Sequence, residues 1–334
     1  YNIKFLGGEN AKNYLLTDME TGQRQVLKIT PHKGNSRKAY EHIKLTDVKD
    51  SITEVYASQQ AIQGKHGGYI CSLEVTEFCP KGDVLSHGLK MHAKIALIAK
   101  DLAGGIEATE QDELQKLYAE FTDNHEVSLE EKQRILAQLR ETQFLNAANI
   151  YGQMTDIFLR FQANHKFFPD AKPTNFLVNE FDQVFIADTK SFLNTENGLV
   201  DPNKIQNEDN YILYTPGFQS PQFEGVEPFS AEKEHSYLMG LSLYCYITGT
   251  ELSEFPRESK DHPTFMKFDA EVFQSPKGKK FQELIQGLTE PDADRRLNIQ
   301  QAKDALQAIM ARDIKVEDAP FKSKTEAYFF ALHN

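Results

Sequence analysis

The chain has 334 residues, 40% hydrophobic and 26% charged, enough to bury one large core or two smaller ones. Its net charge of −12 argues against a general nucleic-acid or anionic-membrane binder, though not against a local basic patch. Three scattered cysteines (Cys71, Cys79, Cys245) form no disulfide framework or CxxC zinc pair, and no long apolar run forms a membrane span, so a soluble protein of a reducing compartment is expected.

Residue 1 already lies in an apolar-alternating stretch and no leader pattern opens the chain, as expected of a trimmed sequence. Alternation through Tyr1, Ile3 and Phe5, then Tyr14-Leu15-Leu16, then Gln25 to Ile29 predicts three strands, with Met19-Glu20-Thr21-Gly22 as a hairpin turn. Residues 47–63 have Val48, Ile52, Val55, Ala61 and Ile62 at roughly helical spacing, which predicts a helix. Tyr69 to Phe78 returns to strand character and Pro80-Lys81-Gly82-Asp83 breaks it. Leu89 to Phe161 predicts at least three helices, divided at Gly104-Gly105 and Thr122 to His125. Within it, Ser128-Leu129-Glu130-Glu131 has the pattern of an N-cap with a glutamate at the third helical position. Two short strands are expected in 176–187, a long irregular segment in 190–232, and helices beyond. The expected fold is α+β, with a small β-rich part and one helix, a hinge, and a larger helical part; ligand clefts are common between two such parts.

Asp170-Ala171-Lys172-Pro173-Thr174-Asn175 is the strongest chemical signal. An Asp, a Lys two residues on and an Asn five residues on precede the apolar Phe176-Leu177-Val178, so one loop can aim a carboxylate, a cation and an amide at one point. Phosphoryl transfer uses that set: the Asp orients a hydroxyl, the Lys steadies the moving phosphoryl group, and the Asn holds a metal. A polar turn before a strand is the plainer reading. Asp188 ends the apolar Val184 to Ala187, where a metal ligand or a simple turn would fit. Lys28 lies inside an apolar strand and needs a partner if buried, with Glu54 the candidate; an edge strand exposing Lys28 is the alternative.

Together, in this order, these segments resemble the protein-kinase superfamily from about residue 3 to about residue 310. Val26-Leu27-Lys28 resembles the Val-Ala-Ile-Lys strand, whose Lys contacts the α/β-phosphates of ATP, and Glu54 the glutamate of helix C. Val75 to Asp83 resembles the hinge, which implies Thr76 as gatekeeper and the backbones of Glu77 and Cys79 at adenine. Gly7 and Gly8 stand where a Gly-rich phosphate loop would be, although a hairpin turn explains them equally. The Asp170 loop resembles the catalytic loop and Asp188 the metal aspartate of Asp-Phe-Gly. Tyr214 to Gln222 resembles the end of an activation segment, Tyr237 to Tyr244 the helix-F run, and Pro291 to Leu297 the late motif whose arginine is Arg296. The resemblance implies a bilobal fold with residues 1–79 as the N-lobe and 80–334 as the C-lobe. It further implies ATP with Mg²⁺ or Mn²⁺, catalysis by Asp170, Lys172, Lys28 and Glu54, and metal binding by Asn175 and Asp188.

Departures from the pattern are specific. Phe168-Pro169 replaces His-Arg before the Asp, Thr189-Lys190 replaces Phe-Gly, Gln222 replaces the activation-segment glutamate, and His235 replaces the helix-F aspartate. Losing the Arg implies no switching by activation-loop phosphorylation. A contact from Gln222 to Arg296 would be a neutral-acceptor hydrogen bond, and His235 is expected to be a structural hydrogen-bonder. The span from Cys79 to Asp170 is long, with the excess around a Glu/Gln-rich helical insertion at 88–145. This insertion reads as a solvated appendage or a partner-docking platform.

The first functional expectation is a divergent Ser/Thr-type protein kinase acting on a protein substrate. A pseudokinase scaffold and a small-molecule or lipid kinase of the same fold are the alternatives. So divergent a version resembles the kinase-like effectors that intracellular bacteria such as Legionella inject into host cells. That resemblance implies the host cytosol and a host-derived activator, either a protein docking on 88–145 or an anion such as an inositol phosphate. His32-Lys33 with Arg37-Lys38, and Lys277 with Lys279-Lys280, are the candidate anion sites, with solvated surface charge as the plainer reading.

Overall fold

In the computed structural model the described residues are 1–8, 11–31, 50–52, 55–63, 70–123, 126–187, 192–206 and 214–311. The N-terminal part is an antiparallel five-stranded sheet in the order β1-β2-β3-β5-β4. Its first three strands, β1 (Asn2–Gly7), β2 (Lys12–Thr17) and β3 (Arg24–Pro31), fall where alternation predicts them. Asp18 closes the second turn, its Oδ1 accepting from the Glu20 amide at 2.9 Å and the Thr21 amide at 2.8 Å.

The helix expected over 47–63 is not what the chain forms from residue 55 onward. Val55–Gln63 is strand β4, paired antiparallel with β5 (Ile70–Glu77). Register shifts at Val55/Ala57 and Gln59/Ile62 account for the helix-like spacing within this strand. Each irregularity breaks the two-residue alternation, so the apolar positions fall at helix-like intervals. Glu54 lies outside the described residues, and strand β4 begins at the next residue.

After β5 the chain passes through Phe78 to Lys81 into β6 (Gly82–Asp83) and a helical body. Its long helices are α1 (Val84–Leu102), α2 (Gln111–Ala119) and α3 (Leu129–Ala163). They are separated where the sequence has Gly104-Gly105 and Thr122 to His125. Asp83 caps α1 by accepting from the Ser86 amide at 2.8 Å, and Ser128 and Glu131 form the expected capping box at the start of α3. Ile95, Ile98, Leu114, Leu117, Tyr118, Ile135 and Leu139 form a small core of their own, so the 88–145 segment is a packed three-helix structure.

The remaining elements are β7 (Lys166–Phe167), β8 (Phe176–Val178), β9 (Val184–Ile186), β10 (Leu193–Asn194), β11 (Leu199–Val200), α4 (Pro202–Gln206), β12 (Phe229–Ser230), α5 (Ala231–Thr248), α6 (His262–Phe265), α7 (Pro276–Leu288) and α8 (Ile299–Met310). Among its described residues, 192–206 and 214–232, the segment expected to be irregular is largely so, but two two-stranded ribbons stitch it down: β10 to β7 and β11 to β12. Helix α5 is buried on every side from Glu234 to Ile247, the pattern of a helix at the centre of a core. Around it pack α1, α3, α7 and α8. Polar atoms inside that core are satisfied; Tyr151 bonds Ser242 at 2.7 Å, and Gln143 donates to the Ile247 carbonyl at 3.1 Å. No described helix is long and apolar enough to cross a membrane.

Candidate functional site

The Asp170 loop runs from β7 to β8, and its shape follows from an alternation of apolar anchors and polar tips. Phe167, Phe168, Ala171 and Phe176 are each at most 1% exposed. Phe168 stacks on Phe192 with ring centres 4.6 Å apart, and Phe158 packs edge-on against Phe176. These anchors leave Asp170, Lys172 and Asn175 to face one another. The Asn175 amide nitrogen donates to the Asp170 carbonyl and to Asp170 Oδ2, both at 2.8 Å. Lys172 Nζ lies 3.3 Å from Asp170 Oδ2.

Thr215 completes this group from the far end of the irregular segment. Its hydroxyl donates to Asp170 Oδ1 at 2.8 Å and accepts from Lys172 Nζ at 2.8 Å. Thr215 lies in the stretch that resembles the end of an activation segment, and nothing in its own surroundings predicts this bridge. Gly217 follows at φ +82°, and a Cβ there would lie 2.8 Å from the Pro256 carbonyl oxygen, so the turn after Thr215 requires glycine. Beside it a cavity of about 300 Å³ is lined by Tyr214, Pro216, Gly217, Phe223, Glu224 and Arg257 among others.

Lys28 approaches the end of β9, next to this group, from the sheet. It sits in β3 opposite Asn13 and Glu74, and its ammonium lies 3.4 Å from the carbonyl of Ala187. The Ala187 amide donates to the Asn175 carbonyl at 3.0 Å, so Lys28 and the Asp170 loop meet at the end of β9. Ile52 pairs with Ile186 in a parallel bridge, and Arg160 donates to Ser51 Oγ at 2.9 Å, adding two more ties between the N-terminal part and the helical body. Asp188 follows directly and lies outside the described residues. The side-chain oxygen of Asn175 accepts no hydrogen bond among the described residues, and an amide oxygen suits a hard divalent cation. No group of three or more His, Cys, Asp or Glu side chains able to hold a metal occurs among the described residues.

Other expected positions fall around this centre. Gly7 ends β1 at φ +115° and Gly8 follows it at φ +120°, and a Cβ on Gly8 would come within 2.1 Å of the Ala11 carbonyl oxygen. Lys12 Nζ donates to the Gly8 carbonyl at 3.1 Å and Asn13 to the Gly7 carbonyl at 3.3 Å, so part of the hairpin's polar backbone is already engaged. Thr76 and Glu77 end β5, and the buried Cys79 leads into β6, which pairs with β8 immediately after Asn175. Burial, and secondarily the Glu77 charge, push the Cys79 thiol up to about 12.

Behind the loop, His235 on α5 accepts the Phe168 amide at 3.0 Å through Nε2 and stacks on Phe158. Complete burial drives its pKa down to about 3, so the ring is neutral and Nδ1 carries the proton. The structural hydrogen-bonder expected at this position is what the fold contains. Arg296, 2% exposed, donates to Gln222 Oε1 at 2.6 Å, the neutral-acceptor bond expected, and also to the carbonyls of Glu290, Pro291 and Lys233. Two further residues, Ser220 and Glu234, were not foreseen: the Ser220 amide donates to Glu234 Oε1 at 3.1 Å and its hydroxyl to Oε2. Of the two basic clusters, the one at 32–38 lies outside the described residues. The other has Lys277 committed to Glu141, with Lys279 and Lys280 exposed.

No protein-family model matches the chain, and no curated protein matches it in sequence.

Proposed function

We propose that this chain is a divergent phosphotransferase of the protein-kinase fold, transferring the γ-phosphate of ATP to Ser/Thr hydroxyls of a protein. The observation that carries this reading is the meeting of Asp170, Lys172, Asn175 and Thr215 within hydrogen-bond reach, with Lys28 arriving from the sheet at Ala187. Five residues from three separate stretches of sequence converge, which a polar turn preceding a strand does not require. In this reading the sheet of residues 1–79 is the N-lobe, 80–334 the C-lobe, and ATP lies between them.

Each side chain then has one task. Asp170 orients the acceptor hydroxyl, whose oxygen forms the new bond to phosphorus as the bond to the ADP oxygen breaks; the hydroxyl proton passes to Asp170 or to solvent. Lys172 offsets negative charge on the moving phosphoryl group, and Lys28 grips the α/β-phosphates. Gly7 and Gly8 bring backbone close to the phosphates, and the backbones of Glu77 and Cys79 receive adenine beyond Thr76. Asn175 Oδ1 and Asp188 would hold Mg²⁺ or Mn²⁺, which neutralises phosphate charge when bound. Phe168 supports the idea that no phosphorylated loop residue is needed. In place of a charged pair, the loop is held by aromatic packing and by the neutral His235.

The test is transfer from radiolabelled ATP, with divalent metal, to a panel of protein, lipid and small-molecule acceptors, run beside a nucleotide-dependent thermal shift. Labelling of proteins by wild type and its loss in Lys172→Ala is the expected result. A metal-dependent thermal shift without any labelling would instead identify a nucleotide-binding scaffold.

A further inference from the structure

The resemblance places the anchoring carboxylate of the 214–222 segment at Gln222, where this chain has a neutral amide. A carboxylate nevertheless holds this segment, from a different element. Glu234, in the first turn of α5 and 1% exposed, accepts both the amide and the hydroxyl of the fully buried Ser220. Ser220 lies five residues after Thr215, and the intervening turn is closed by bonds to the Thr215 carbonyl from the Phe218 amide, at 3.0 Å, and from the Gln219 side chain. Thr215 in turn stands between Asp170 and Lys172. The next residue, His235, holds the Phe168 amide on the other side of the same loop. Adjacent residues at the start of one buried helix thus hold the two segments that meet at Asp170.

We infer that Glu234 is the positioning residue of the site. It fixes Ser220 and, through the turn from Thr215 to Ser220, sets the Thr215 hydroxyl between Asp170 and Lys172. Its catalytic consequence rests on the phosphotransfer reading; its structural consequence does not. Glu234 itself touches none of the reacting groups. Burial raises the Glu234 pKa above the ordinary carboxylate value; the two Ser220 hydrogen bonds and the nearby Arg296 guanidinium, itself tied to Gln222, oppose that shift.

Two readouts test this on the full chain, with Glu234→Leu, Glu234→Gln and Ser220→Ala. Amide hydrogen exchange is independent of activity. Glu234→Leu is expected to raise exchange at residues 215–220 by about tenfold or more while leaving the second half of α5 unchanged, since it strands a buried donor pair. Glu234→Gln retains an acceptor for the Ser220 amide and is expected to stay within a few-fold of wild type. In transfer assays Glu234→Leu should lower kcat by about 10- to 100-fold with the KM for ATP within about twofold, and Glu234→Gln should recover most of it. If Glu234→Leu does not fold, Ser220→Ala carries the test, with a smaller rise confined to 215–220. Unchanged exchange at 215–220 in a folded variant, or a rise spread equally over α5 and α7, overturns the inference. A wild-type chain that transfers no phosphate sinks the phosphotransfer reading alone, and exchange still decides the role of Glu234.

Discussion

Thr215 bridges the two charged groups of the Asp170 loop, donating to Asp170 Oδ1 and accepting from Lys172 Nζ at 2.8 Å each. Without that hydroxyl, Lys172 keeps only its 3.3 Å ion pair with Asp170 Oδ2, and Asp170 Oδ1 loses its donor. Thr215→Val keeps the shape and removes both bonds. It is expected to lower transfer by about 10- to 100-fold, the worth of a hydrogen bond between charged partners, while Thr215→Ser stays close to wild type. Equal kcat in wild type and Thr215→Val would remove Thr215 from the site.

His235 gives the fold a defined response to acid. Its folded-state pKa, about 3, lies below the ordinary histidine value of 6.5 because burial opposes the charged ring. The unfolded chain therefore takes up the proton first as the pH falls. The stability that the neutral ring contributes is fully present above pH 6.5 and is lost progressively towards pH 3. His235→Gln retains an acceptor for the Phe168 amide but cannot titrate. Urea midpoints should show wild type ahead by about 1–3 kcal/mol at pH 7.5, from ring packing, and the gap narrowing or reversing by pH 4.5. A gap independent of pH would contradict a buried neutral imidazole.

The cysteines should differ in reactivity. Burial pushes the Cys79 thiol up to about 12 and Cys245 higher still, whereas Cys71 is partly exposed. Because the thiolate is the reactive form, a disulfide reagent at pH 8 should label Cys71 first and leave Cys79 and Cys245 unlabelled until the chain is unfolded. Mass spectrometry of the labelled peptides reads the order. Early labelling of Cys79 would mean that the connection from β5 to β6 is more open than the structure has it.

Much of this site could be read from the chain alone, for reasons that differ by residue. The Asp170, Lys172 and Asn175 group is local, so its spacing carries the geometry directly, and the flanking Phe168 and Phe176 carry the burial. Gln222 and Arg296 were legible as a pair only because each sat in a motif of known order. Thr215 had a place but no assigned task, since its partners lie 43 and 45 residues away and nothing in its own surroundings points to them. Glu234 was missed because a glutamate in the first turn of a helix is ordinarily a solvated dipole partner, and only the packing of α5 buries it. At β4 the bulges disguise the strand's period as a helix's, so the sequence there predicts a helix.

The central claim is that the Asp170 loop performs phosphoryl transfer, and Asp170→Asn tests it most directly. The substitution keeps the size and one side-chain acceptor, which Thr215 can use, while Asn175 keeps its bond to the backbone carbonyl of residue 170, so the fold and nucleotide binding should be unchanged by thermal shift. Removing the carboxylate's charge and basicity should lower incorporation from radiolabelled ATP by about 100-fold or more, in line with the loss of a positioned base. Equal labelling by wild type and Asp170→Asn would contradict the account.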